Sequence, residues 1–172
     1  MLTLILMRHA KSSWSDPLCE DHDRALNARG RVSAIALGMW LHDQGFKPDM
    51  VISSSARRTL ETYHCMGVGT PAKITETLYL ADKAKILGNL RQAQGDTVLV
   101  LGHNPGIADC ADALLTKPHM HPDFRRFPTG ATLVAQFQAQ SWMGITWGSG
   151  HALDFVIPRE LVPSAKQNHP LT

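Results

Sequence analysis

Apolar residues fall along this chain in short continuous runs that alternate with stretches of helical period, and that alternation predicts its elements. Residues 2–7 form a continuous run, apolar but for Thr3 and stopped by Arg8, the pattern of a strand buried on both faces. From Asn27, a residue suited to cap a helix, Val32, Ile35, Ala36, Met39 and Trp40 recur at helical spacing, and Gly45 supplies a stop. A second strand is predicted at residues 50–53, then a helix from about 56 to 65, closed by a turn through Gly67, Gly69 and Pro71. A third helix at 83–92 carries Ile86, Leu87 and Leu90 on one face, residues 97–101 form the strongest strand signal, and a helix begins at Pro105. Residues 132–137 and 152–157 read as two strands with no helix between them, so the sheet is expected to finish in an antiparallel pair. Residues 10–25 mix Ser, Asp, Pro and charge without a period and read as a long loop over one end of the sheet.

Together these elements predict an α/β fold, a three-layer α/β/α sandwich whose central sheet is mostly parallel with an antiparallel edge strand. With 172 residues and 44% hydrophobic content the chain suits one domain, 1–172, with a polar tail at 163–172 expected to be loose. Lys and Arg exceed Asp and Glu by only two, which argues against a nucleic-acid or membrane partner and requires any cationic site to be local. Cys19, Cys65 and Cys110 form no C-x-x-C pair and no even set, so neither a disulfide framework nor a structural zinc site is expected and a reducing cytoplasm suits them. The apolar start, residues 1–7, has no basic region before it and no apolar run reaches membrane length, so neither a cleaved signal peptide nor a membrane span is expected.

Three polar segments sit where strands give way to helices, the place where ligands bind in sheets of this kind: Arg8-His9-Ala10-Lys11-Ser12, Ser53 to Thr62, and Gly102-His103-Asn104-Pro105-Gly106. Together they bring two histidines and several arginines to one rim. Arginine carries permanent charge and a fork that matches phosphate oxygens, and a histidine with one ring nitrogen free is a nucleophile, so the combination points to phosphoryl transfer. Asn104 suits a helix cap and Pro105 a first helical position, which would open a helix N-terminus beside His103. Lys11, Ser12 and Arg24 follow the first histidine, and of these Lys11 is placed best to meet substrate. His119 and His121, two residues apart on a Pro-flanked loop without a clear third ligand, do not make a metal site.

These segments resemble the histidine phosphatase superfamily, of phosphoglycerate mutase-like fold, and within it the SixA-type phosphohistidine phosphatase branch. The similarity extends to Asp23-Arg24, Leu26-Asn27, Arg29-Gly30, Pro128-Thr129-Gly130-Ala131 and Pro158-Arg159-Glu160-Leu161, so it spans nearly the whole chain. The resemblance implies that His9 is the nucleophile and that Arg8, Arg58 and His103 bind the phosphate. The resemblance also prefers Arg58 to Arg57, since the family's arginine stands four residues after a serine and four before a threonine, as Arg58 does between Ser54 and Thr62. The surrounding cations are expected to keep His9 neutral near pH 7, whereas His103 is most useful if protonated when phosphate binds. The resemblance implies no cofactor and no metal.

Many ester-cleaving members of the superfamily carry an acid for the leaving oxygen. Glu76 is the possible acid here, with Asp82 the other candidate, and both read more simply as solvated carboxylates. Weak acid machinery favours a substrate whose leaving group needs little help, namely phosphohistidine on a phosphocarrier protein. The alternatives are a phosphatase of small phosphate monoesters such as sugar phosphates, and a non-catalytic phosphate-binding or interaction module.

Overall fold

The apolar run at the N-terminus is strand β1 (Leu2–Arg8), and it lacks a polar face because helices cover the sheet on both sides. A computed structural model describes residues 1–163; the tail predicted to be loose lies, from residue 164 onward, outside the described residues. The chain continues through α1 (Ala28–Asp43), β2 (Met50–Ser54), α2 (Arg57–Met66), β3 (Ala72–Thr75), α3 (Lys83–Leu90), β4 (Thr97–Gly102), α4 (Gly106–Leu114), β5 (Thr132–Phe137), β6 (Gly150–Val156) and a single turn of helix, α5 (Pro158–Leu161). The six strands form one sheet in the order β3-β2-β4-β1-β5-β6. β1 to β4 run parallel, and β5 is the strand that opposes them, pairing antiparallel with both β1 and β6. The antiparallel pair predicted at the end of the sheet is therefore β5–β6.

Alternate residues of one strand serve different cores. Leu2, Leu4 and Leu6 of β1 join Val98 and Val100 of β4 beneath α3 and α4, while Ile5 and Met7 join Leu99 and Leu101 beneath α1 and α2. Each of these side chains is buried on a covered face, contributing about 1.5–3 kcal/mol relative to exposure.

The structure corrects the sequence in three places. Asn27 caps α1 as predicted, its side chain accepting from Gly30 N at 2.8 Å, but the packed face of the helix is not the bulky one. Val32, Ile35 and Met39 are exposed, and Gly30, Ser33, Ala34, Leu37, Gly38 and Leu41 face inward. Two glycines explain the choice: a Cβ on Gly30 would collide with the carbonyl of Lys11, and one on Gly38 with the carbonyl of Met66. α1 is held by close backbone approach, which a periodicity read from bulk does not register. β3, a short edge strand with exposed side chains at Lys73 and Ile74, carries no apolar run and was not foreseen from the pattern. Finally, Asn104 does not cap α4; the cap position is Pro105, without a side-chain bond, and the Asn104 amide is used elsewhere, as described below. Among the described residues no helix is long and apolar enough to cross a membrane.

Candidate active site

Parallel neighbours β1 and β4 end side by side, and their next residues are His9 and His103. The backbone of His9 is fixed from both sides, its N–H donating to Gly102 O at 3.1 Å and its carbonyl accepting from Gly130 N at 2.9 Å. The two imidazoles lie with ring centroids 5.3 Å apart. Arg58 enters from the first turn of α2, and all three side chains are buried, His9 at 5% exposure and Arg58 and His103 at 2%.

The tautomer of His9 follows from its partners. Nδ1 donates to the carbonyl of Ala10 at 2.7 Å, so Nε2 carries the lone pair, and it accepts from Arg58 Nε at 3.3 Å. The Ala10 peptide is itself pinned: its N–H donates to Thr62 Oγ1 at 3.0 Å, and that hydroxyl donates to Arg58 O at 2.6 Å. One threonine on α2 thus ties the arginine to the peptide that orients the histidine. Burial pushes the pKa of His9 down to about 3; the Ala10 carbonyl opposes this, and His103, Arg58 and Arg8 add to it. His9 is neutral at pH 7, as the sequence predicts.

His103 is neutral in the free protein as well, held at about 3 by burial first and then by Arg58, with Asp21 acting in the opposite direction. Its Nε2 lies 2.7 Å from Ser54 Oγ, at the end of β2. The buried Ser54 hydroxyl has no other acceptor for its own proton among the described residues, so it donates to Nε2, which leaves Nδ1 as the protonated nitrogen. That Nδ1 is buried and has no hydrogen-bond partner among the described residues, and the same is true of Arg8 Nε. Two buried donors without acceptors in one rim suit an oxyanion between them.

Arg8 also donates through Nη1 to the carbonyl of Phe127 at 3.1 Å, an oxygen that Asn104 Nδ2 reaches as well at 3.0 Å. Phe127 is fully buried with φ of +45°, a left-handed backbone uncommon for a residue with a bulky side chain. Asn104, read from sequence as a helix cap, instead holds this turned peptide against Arg8.

A carboxylate that the sequence did not single out completes the site. Asp21, in a 3₁₀ turn of the long loop, receives Arg58 Nη2 at 3.1 Å on its carboxylate and Arg58 Nη1 at 2.6 Å on its backbone oxygen. Arg24 donates to its other oxygen at 3.1 and 3.2 Å, and the Tyr79 hydroxyl donates to the oxygen shared with Arg58. Partial burial pushes the Asp21 carboxyl upward, but the bonds from Tyr79, Arg58 and Arg24 outweigh it and hold it at about 2. Tyr79 in turn is pushed up by burial and by Asp21, and its ring meets His103 edge-on at 5.6 Å. Only an i,i+3 spacing between Asp21 and Arg24 marks this network in the sequence.

Of the other residues singled out from sequence, Arg24 reaches the cluster only through Asp21, and the rest fall outside it. Arg57 is exposed and pairs with Glu61 at 2.8 Å. Lys11 is exposed in a neighbouring cleft that Arg8 also lines. Arg24 stacks on Trp14 and donates to Ser12 Oγ at 2.6 Å, so its donors are directed at the protein. Glu76 is exposed at the start of the turn Glu76–Leu78, and Asp82 caps α3 by accepting from Lys85 N at 2.9 Å; neither bonds to the cluster. His121 pairs with Glu160 at 2.9 Å and His119 accepts from His121 N, and no group of three or more His, Cys, Asp or Glu suited to a metal ion is found among the described residues.

A family model described as the histidine phosphatase superfamily (branch 1) matches residues 4–81, which include Arg8, His9 and Arg58. An uncharacterised protein of Mycobacterium leprae is 32% identical over 162 residues, 89% of this chain and 100% of its own length. Among solved structures, a protein assigned as the phosphohistidine phosphatase SixA of Nakamurella multipartitia superposes with a TM-score of 0.82 at 27% identity, over 91% of this chain and 96% of that one. One assigned likewise from Agrobacterium tumefaciens gives 0.74 over 91% and 98%, and its 24% identity speaks for the fold alone. With the site built at the ends of β1, β2 and β4, these matches lead to one conclusion: the chain belongs to the histidine phosphatase superfamily and is of the SixA type.

Proposed function

We propose that this phosphatase hydrolyses phosphohistidine on a protein, with His9 as the nucleophile. The observation that carries the reading is the state of Asp21. It is the carboxylate in contact with the cluster, and at a pKa of about 2 it is ionised at neutral pH with no proton to give a leaving group. An alkoxide leaving from a phosphate ester needs such a proton, whereas an imidazole leaves a phosphoramidate with far less assistance.

In the first step the Nε2 lone pair of His9 forms a bond to phosphorus while the bond from phosphorus to the substrate ring breaks; that ring, protonated beforehand on its other nitrogen, takes the electron pair and leaves as neutral imidazole. Arg8, Arg58 and the Nδ1–H of His103 donate to the three equatorial oxygens, where charge accumulates. In the second step water attacks phosphorus, the bond to Nε2 breaks, and orthophosphate is released with His9 regenerated. Entry of the dianion raises the affinity of His103 for a proton, which strengthens its grip on the phosphoryl group. The proposed cycle uses groups of the chain alone, without metal or cofactor, and the three free thiols suit a reducing cytoplasm.

The test is a side-by-side assay of a histidine-phosphorylated phosphocarrier protein and a panel of phosphate esters, with alkaline and acid quench to trap the phosphoenzyme. The expected result is faster turnover of phosphohistidine, an acid-labile, base-stable phosphate on the wild-type protein, and no turnover by His9→Ala. Faster ester hydrolysis, lost on Glu76→Gln, would instead assign a small phosphate monoester as substrate.

A further inference from the structure

Beside the reaction centre, and sharing Arg8 with it, runs an open cleft of about 400 Å³ lined by polar and charged side chains. Lys11, Arg29, Arg126 and Arg159 join Arg8 on its walls, and Asp123 is the one carboxylate among them. Asp123 is shared by two of the arginines, at 3.4 Å from Arg126 and 2.9 Å from Arg159. The whole chain carries a net charge of only +2, so this wall is far more positive than the molecule that contains it.

Apart from the pairing of two of them with Asp123, these cations face solvent. Arg126 and Arg159 are 78% and 70% exposed at the side chain, and Lys11 and Arg29 are exposed as well. Arg29 even stands in the first turn of α1, which contains no acidic residue, although a cation there opposes the helix dipole. The four come from four separate segments: the loop after β1, α1, the 123–129 loop and α5. Cations spread over an open rim do not converge on one small anion; they form a surface that several carboxylates can meet at once.

We propose that this cleft docks an acidic patch of the substrate protein next to its phosphohistidine, with Arg29, Arg126 and Arg159 as the residues that select the partner. The inference rests on the phosphohistidine-protein reading above and assigns it a specificity surface. Arg8, at the junction, then separates two tasks: its buried Nε faces the phosphoryl group while its flank borders the docking cleft. Selection by such a surface acts through association and depends on salt.

Two variants test it, Arg29→Glu and the triple Arg29→Gln/Arg126→Gln/Arg159→Gln. Glu is favourable in the first turn of a helix, so Arg29→Glu is expected to keep or raise the melting temperature and any lost activity is not lost fold. On a histidine-phosphorylated phosphocarrier protein, kcat/KM is expected to fall at least tenfold through KM, and the decline of wild-type kcat/KM between low and high salt is expected to flatten. On the free amino acid phosphohistidine both variants are expected to stay within twofold of wild type. Unchanged activity on the phosphoprotein, or an equal loss on the free amino acid, overturns the proposal. So does an equal loss on a small ester bearing a second phosphate, which would make the cleft a small-molecule subsite. Fluorescein-labelled poly-L-glutamate, followed by anisotropy, reads the cleft without turnover: binding weakened at least tenfold in both variants supports an acidic partner even if the wild type proves inactive on phosphohistidine, and binding that does not change overturns it.

Discussion

His9 and His103 are neutral because burial costs an imidazolium its hydration, and that same cost links them to the stability of the fold. Both stand at about 3 in the folded protein against an ordinary 6.5. Between those values the unfolded chain binds protons that the folded chain refuses, so stability falls as the pH is lowered through the window and is fully present above 6.5. Asp21, lowered to about 2 from 3.8, begins to lose its contribution only near pH 3.8, at the acid end of that window. From pH 6.5 to 5 the loss is on the order of 2 kcal/mol per histidine. Urea unfolding at pH 7 and pH 5 is expected to show this loss in the wild type and a much smaller one in His9→Asn/His103→Asn; equal losses would reject the buried neutral pair. At this scale Arg8, His9, Arg58 and His103 were legible because each ends or directly follows a strand or stands in the first turn of a helix. Asp21, Ser54, Thr62 and Tyr79 were not readable as partners, since a hydroxyl or carboxylate becomes one only when the loop, β2, α2 and the turn before α3 meet in space.

Helix α1 shows how an element can be found correctly and turned the wrong way. Both stripes of its surface repeat at helical spacing, and the bulky one, with Val32, Ile35 and Met39, faces solvent. The stripe of Gly30, Ala34, Leu37, Gly38 and Leu41 packs because it admits the backbone of a neighbour, a property that hydrophobic pattern does not record. Gly30 lies against the carbonyl of Lys11, two residues past the nucleophile, so this contact also sets the height of the loop beside the site. Gly30→Ala is expected to destabilise by about 2 kcal/mol through overpacking. Gly88, in the interior of α3, has open space where a Cβ would stand, so Gly88→Ala is expected to stabilise by up to about 1 kcal/mol. Opposite signs of the two shifts in chemical denaturation are the check; a stabilised Gly30→Ala would show that α1 does not depend on close approach. Asn104 is the same lesson for a cap: its residue type suits a helix start, yet two carbonyls of the 126–127 turn compete for its amide and win.

Across the whole molecule, the sheet separates two apolar cores and leaves its charge at the edge where β1, β2 and β4 end. Continuous apolar strands made this layered arrangement legible, whereas the concentration of cations around one cleft was hidden by a net charge of +2. An anion held by Arg8, Arg58 and His103 touches residues from β1, α2 and the end of β4 at once, so its binding free energy is shared by all three elements. A ligand at a hundred times its Kd stabilises the folded state by about 2.7 kcal/mol, which for a chain of this size corresponds to a rise of several degrees in melting temperature. Inorganic phosphate is therefore expected to raise the melting temperature of the wild type by that amount and to leave Arg58→Met unaffected. In the cycle proposed for His9 every oxyanion donor belongs to the chain, so the shift and the turnover are both expected to survive prior treatment with EDTA. Loss of either on chelation, restored by a divalent cation, would place a metal in the reaction and reject the cycle proposed for His9.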